Sequence, residues 1–149
     1  MRLVANVTIQ VKGGGVTITR RLKNLVTDVG LAHIAGLLNG LQTTAAKYIA
    51  VGEGDSPVDA GDIELESEAA HSGLDRKLGT TSLTTTNVTD DTAVITAIFD
   101  VTNDVEVTEF GLFSALSGGV LVARVVSAPI SITTGQTLTM TWSYSIEEA

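Results

Sequence analysis

Eleven consecutive residues, Gln136–Ile146, alternate between apolar and polar without a break. Leu138, Met140, Trp142, Tyr144 and Ile146 fall on one side of the pattern, and Thr137, Thr139, Thr141, Ser143 and Ser145 on the other. Side chains of a strand point alternately to the two faces of a sheet, so the pattern predicts a strand with one face on a core and one polar face. A slip of one residue would put the chain's single Trp in water, which fixes the register.

The same period recurs at the other end of the chain. Leu3–Val11 places Leu3, Ala5, Val7, Ile9 and Val11 on one face. Gly13-Gly14-Gly15 then predicts a hairpin turn, because glycine adopts positive φ freely, and Val16–Leu22 returns with Val16, Ile18 and Leu22 inward and Arg20 on their parity. Tyr48–Val51 is apolar almost throughout and reads as a short strand buried on both faces. Thr92–Val101 has Ala93, Ile95, Ala97, Phe99 and Val101 on one face, with Val94 and Ile98 implying burial of the other. Asn103-Asp104 turns the chain into Val105–Phe113, where Gly111 marks a bulge or a close approach. Ser117-Gly118-Gly119 turns it again into Val120–Ser127, and Pro129 marks an edge or bend. Between these anchors, His71–Leu78 reads as a strand start or exposed ribbon, and Thr80–Asn87 as an exposed strand or long loop.

Only Asp28–Leu38 has helical spacing: Leu31, Ile34, Ala35 and Leu38 form one apolar stripe, Thr27 or Asp28 caps the start, and Asn39-Gly40 ends it. His33 lies off the stripe and reads as a surface or boundary residue. About eight to ten strands with frequent turns, and one inserted helix, predict a mainly β chain, an antiparallel sandwich or barrel rather than βαβ units. Residues 1–149 read as a single β-domain, with a short α-helix over about residues 28–38 and residues 1–22 as an N-terminal hairpin or arm.

Composition narrows the chemistry. Hydrophobic residues make up 44% but aromatics only 4%, so the core is built from Val, Ile, Leu and Ala. The absence of cysteine excludes disulfides, thiolate metal sites and thiol nucleophiles. A net charge of −8, with nine cations read as scattered, argues against a basic patch and hence against nucleic acid. Met1-Arg2 leads directly into a strand pattern, which predicts no signal peptide, and no run of about 18 apolar residues predicts a membrane span.

The acidic segment from Asp55 to Glu68 invites a calcium reading, but Pro57 and Ala60 stand where an EF-hand needs a ligand and a glycine. It reads as a solvated acidic loop with one short helical turn, the alternative being an adventitious divalent ion. There is no Gly-x-Ser-x-Gly elbow, neither His33 nor His71 has catalytic or ligand spacing, and aromatics for a glycosidase cleft are scarce. The expectation is a non-enzyme with no catalytic residue, cofactor or metal. Two charges stand inside apolar runs: Glu109, sharing parity with Val105 and Val107, and Arg124, flanked by valines. They pair with each other or with loop amides, or enter a subunit interface, or face solvent.

The order of motifs then carries a resemblance. It runs from Asn24 through Leu38, to Tyr48-Ile-Ala-Val-Gly-Glu-Gly54 and Leu65-Glu-Ser-Glu68, then to Glu109-Phe-Gly-Leu-Phe113, Gly119-Val-Leu-Val-Ala-Arg124 and a final Trp-bearing strand. This order resembles small structural proteins encoded among the virion genes of tailed bacteriophages and related archaeal viruses. Some of these decorate the capsid, and similar modules occur in tails and fibres. The resemblance implies a β-sandwich or tulip-like β-barrel that acts as a homotrimeric cement protein on the capsid exterior. It further implies the major capsid protein as partner, assembly in the host cytoplasm, and no membrane. Leu3–Leu22 would then be a gripping hairpin and His71–Asn87 a lattice-facing loop. The alternatives are a tail, baseplate or fibre attachment module and, in another class, a carbohydrate-binding module.

Overall fold

The computed structural model describes residues 1–148. The chain runs β1 (Arg2–Gly13), β2 (Val16–Lys23), β3 (Leu25–Val26), α1 (Asp28–Asn39), β4 (Tyr48–Gly52), β5 (Lys77–Leu78), β6 (Thr80–Thr84), β7 (Thr92–Asp100), β8 (Val105–Phe113), β9 (Leu121–Ile132) and β10 (Thr137–Glu147). Two antiparallel five-stranded sheets result, ordered β2-β1-β10-β7-β6 (sheet A) and β3-β9-β8-β4-β5 (sheet B). One apolar cluster joins them, with Val7, Ile9, Phe99, Met140 and Trp142 from sheet A and Ile49, Val107, Phe110, Leu112 and Val125 from sheet B. The protein is therefore a mainly β, sandwich-like pair of sheets with one short helix. Two chain crossings close its sides, at Asn24 between β2 and β3 and at Gly79 between β5 and β6.

The alternating strands behave as their patterns predict. β10 pairs with β1 from Thr137↔Lys12 to Glu147↔Arg2, and with β7 from Thr137↔Asp100 to Ser145↔Thr92. Leu138, Met140 and Trp142 are fully buried, whereas Ile146, expected on the same face, is half exposed at the open end of the sandwich. Ile98, expected buried on the second face of β7, is exposed as well, because nothing covers the outer side of sheet A. That outer side is rich in hydroxyls: Thr8 of β1, Thr139 and Thr141 of β10 and Thr96 of β7 share it by register, along with Gln10, Val94 and Ile98. Thr80–Thr84 does form an exposed edge strand on β7.

Residues 1–22 form the expected hairpin, turned by Gly14 and Gly15 at φ 61° and 76°, but they are not a detachable arm. β1 is an interior strand, and its Val7, Ile9 and Val11 are core residues. Only β2 projects: Val16 and Ile18, expected inward, are exposed because no strand of sheet B lies beneath the hairpin tip. Burial of each core side chain of β1 contributes about 1.5–3 kcal/mol, so together they rival the net stability of a domain, about 5–15 kcal/mol.

The helix is where the expectation and the structure part. Its buried residues are Gly30 and His33, while Leu31 and Leu38 of the apolar stripe are exposed. Close approach sets this rotation, since a Cβ at Gly30 would collide with the Val122 carbonyl of β9. Thr27 fixes the entry, its Oγ1 accepting from Gly30 N at 2.9 Å and donating to Leu121 O at 2.6 Å. His33 is pinned by Nε2 at 2.8 Å from Thr44 O, so it is a packed helix–linker contact rather than a surface residue.

Two tests follow from this layout. Deleting residues 1–22 is expected to abolish cooperative unfolding by calorimetry; a surviving sharp transition would show the hairpin to be an appendage. Asp91 accepts backbone N–H groups from Thr86, Asn87 and Val88 at 2.7–2.8 Å, and these bonds hold its carboxyl well below the usual carboxylate range. A depressed folded-state pKa stabilises the fold above the unfolded-state value, about 3.9, and that contribution disappears as pH falls toward the folded-state value. Asp91→Asn should therefore flatten the loss of stability between about pH 5 and 2, measured by urea titration across that range.

Candidate functional site

Glu109 and Arg124 meet on the outer face of sheet B, and a bulge puts them there. Between Val107 and Glu109 the β8–β9 register jumps, so that Val107 opposes Ile130 while Glu109 opposes Val126. Ser127, Ala128 and Pro129 make up the excess on β9, which is the bend that Pro129 signals. The core-facing parity of β8 accordingly switches from Val107 to Phe110 and Leu112, and Glu109 turns away from the core. Parity with Val105 and Val107 is thereby broken, and the solvent-facing reading fails: Glu109 is 0% and Arg124 2% exposed.

The two side chains leave no hydrogen-bonding capacity idle. Arg124 donates from Nε and Nη2 to Glu109 Oε2 at 3.0 and 2.9 Å, and from Nη1 to Asp62 Oδ2 at 3.0 Å. Its remaining donors reach Ser56 O at 3.1 Å and Pro57 O at 3.4 Å. Glu109 Oε1 accepts from Gly54 N at 3.1 Å and Ser67 N at 2.6 Å, while Oε2 also accepts from Glu66 N at 3.1 Å. The cation that the acidic segment surrounds is thus the Arg124 guanidinium, with Asp62 paired to it directly and Glu66 Oε2 at 3.9 Å. Glu66 also accepts from Ser56 N at 2.8 Å, and hydrogen bonding from Ser56 holds its carboxyl below the usual value. The short helical turn expected in the segment is reduced to one isolated turn, closed by Asp62 N donating to Asp59 O at 3.0 Å and braced by the Asp59 and Asp62 side chains.

Glycine makes the approach feasible. A Cβ at Gly52 or Gly54 would lie 2.5 or 2.6 Å from Glu109 Oε1. Loop residue Leu65 packs with Ala50, Phe113 and Leu121 in a small second cluster, close against Gly111, whose missing Cβ would sit 2.8 Å from Leu65 Cδ2. A second arginine ties down the far end of the loop. Arg76 binds Glu68 bidentately at 3.0 and 2.6 Å, donates to Ala115 O and Gly118 O, and lies 3.6 Å from the centroid of the Phe113 ring. Among the described residues no group of three or more His, Asp or Glu side chains is placed to hold a metal ion. His33 and His71 stay apart, the first against Thr44 O and the second beside Glu53 at 3.0 Å.

Two further surfaces complete the picture. An apolar recess of about 690 Å³ opens at one end of the sandwich, between Ile34 and Leu38 of the helix and Leu83, Ile95, Tyr144 and Ile146. The cations, read as scattered, are not: Arg2, Lys12, Arg20, Arg21 and Lys23 all lie on the first hairpin, and the first carboxylate of the chain is Asp28. A count of charges hides this, whereas their positions along the sequence would have revealed it. Gly52, Gly54, Asp62 and Glu66 were equally visible as residues, but only the folded loop makes them partners of Glu109 and Arg124. Compared with protein-family models and with curated proteins, the chain matches none.

Removing one member of a buried charge pair strands the other, at a cost of about 3–5 kcal/mol. Arg124→Met and Glu109→Gln are each expected to destabilise by that order. The double variant should lose clearly less than their sum, and each single variant should speed amide exchange across residues 53–68. Additive losses in a denaturant double-mutant cycle would mean that the pair is not coupled.

Proposed function

We propose that this chain is a non-enzymatic virion structural protein that decorates a viral capsid, bound on the capsid exterior to the major capsid protein as a homotrimer. One observation carries the structural, non-catalytic part: the buried Glu109–Arg124 centre spends its donors and acceptors on fixing a loop. A catalytic centre would present an unpaired acid, base or nucleophile to a cleft. The capsid part rests on the resemblance in motif order. It is supported by the uncovered, hydroxyl-rich face of sheet A and the projecting β2, which suit extended protein contacts. The gripping element narrows from the whole of Leu3–Leu22 to the projecting tip of β2, with its exposed Val16 and Ile18, since β1 is core.

The carbohydrate-binding alternative loses its platform. Trp142, Phe99 and Phe110 are fully buried and Phe113 lies under Arg76, so these rings cannot stack on a sugar; Tyr48 alone of the six aromatics is half-buried, and one ring makes no platform. The decisive measurement is imaging of virions carrying the protein tagged in the exposed Ser117–Gly118 turn. Label over the head at regular threefold or quasi-threefold positions is expected. Label at the tail or its tip would replace decoration by attachment, and bare virions would overturn the virion reading altogether.

A further inference from the structure

Charge is unevenly distributed over the fold: the outer face of sheet A holds the hairpin cations and only two strand carboxylates, Glu147, which pairs with Arg2 at 2.7 Å, and Asp100, two strands away from Lys12 in the same row. Residues 1–27 carry five cations and no carboxylate, a net +5. The remaining four cations stand against all seventeen carboxylates, so residues 28–149 carry a net −13. On the hairpin, Thr8 pairs with Arg21, Asn6 with Lys23 and Lys12 with Thr17, which places Lys12, Arg21 and Lys23 on one face, the outer face of sheet A. All three are exposed and enter no ion pair among the described residues. On the other side of the sandwich, the loop over sheet B presents Asp55, Asp59 and Glu64, likewise exposed and outside any such ion pair.

We infer that copies of this chain associate head to tail, the basic outer face of the β1–β2 hairpin of one copy lying on the acidic 53–68 loop of the next. The inference deepens the reading of the chain as an assembling structural protein and rests on that reading for its purpose; its grounds are the charge pattern. The loop cannot swing round to neutralise its own hairpin, because Arg124 and Arg76 pin it to sheet B. An acidic surface held this rigidly loses little freedom on binding. The free outer edge of β2 could also pair with a second β2, but like charges brought together there oppose that isologous contact. A heterologous contact remains, which closes into a ring when its rotation permits and otherwise extends as a filament. A nucleic acid is a poorer occupant of the basic face. The body of the protein repels a polyanion, and residues 1–27 contain no aromatic side chain for base stacking.

The test is sedimentation velocity of the full chain at low and high ionic strength, with two charge-reversed variants. Wild type is expected to associate at low salt and to dissociate as salt screens the contact. Arg21→Glu/Lys23→Glu and Asp59→Lys/Glu64→Lys should each weaken association by roughly tenfold or more. Mixing the two variants should restore association, since each then offers the charge the other has lost, and restoration also shows that both fold. Wild type that stays monomeric at every ionic strength overturns the inference. So does association that neither variant weakens, or a mixture that fails to recover although both variants unfold cooperatively. Capture of a duplex oligonucleotide by the same three cations, without self-association, would assign the face to nucleic acid instead. These readouts need no virion, so their failure is distinct from a failure of the capsid reading.

Discussion

Taking a carboxylate and a guanidinium out of water costs several kcal/mol per ion, and the cost is offset only when every polar atom finds a partner. Much of the outer half of this protein follows from that constraint. Glu109 and Arg124 cannot satisfy each other alone, since a guanidinium has five N–H donors and a carboxylate about four acceptor sites. The balance comes from the backbone of one loop: N–H groups of Gly54, Glu66 and Ser67, and carbonyls of Ser56 and Pro57. The loop is therefore positioned by charge rather than by apolar burial. Leu65 is its only residue in the small cluster that also holds Ala50, Phe113 and Leu121. Glycine at 52 and 54 and the bulge at Thr108 are conditions of the same arrangement, one clearing space for the carboxylate and the other aiming it.

The consequence is a sandwich with unlike faces. Sheet B is covered by α1 and the acidic loop, which touch where Asp28 N donates to Ala60 O at 2.8 Å. Sheet A is bare, its outward positions rich in Thr and Ser, with Val94, Ile98 and Asp100 among them on β7 and Lys and Arg at the hairpin margin. The covered face holds the buried ions, whereas the bare one exposes a free edge at β2 and another at β6. Such edges are normally blunted against pairing, and β2 carries the cations that do this.

Alternation made β1, β7 and β10 legible in the sequence, because burial on one face writes itself directly into a period of two. The turn glycines were legible for the same local reason. Glu109 could not be placed that way. A bulge inverts the parity of everything beyond it: the apolar positions of β8 run 105 and 107, then 110 and 112, with the phase break at Thr108-Glu109, and only the pairing with β9 shows that Glu109 belongs to the second half. The helix misled for a related reason. Its apolar stripe was real, but a glycine contact with Val122, absent from any periodicity, decided which side faced the sheet. Ile34 and Leu38 consequently line the open recess instead of the core.

Charge was misread by counting it. A net −8 describes an acidic protein, while the fold contains a cationic hairpin and a more strongly anionic body, joined by one ion pair, Arg2 to Glu147 at 2.7 Å. Opposite charges on a flexible chain would collapse onto each other. Here the acidic loop is fastened to the outside of one sheet by two arginines, and the basic hairpin extends the other, so an intramolecular encounter is geometrically closed. Attraction that cannot be satisfied within a molecule persists as a field around it, strongest where the separated faces are flat and rigid. The same buried pair that fixes the loop therefore also polarises the molecule, so that the stability of the fold and the shape of its field have one source.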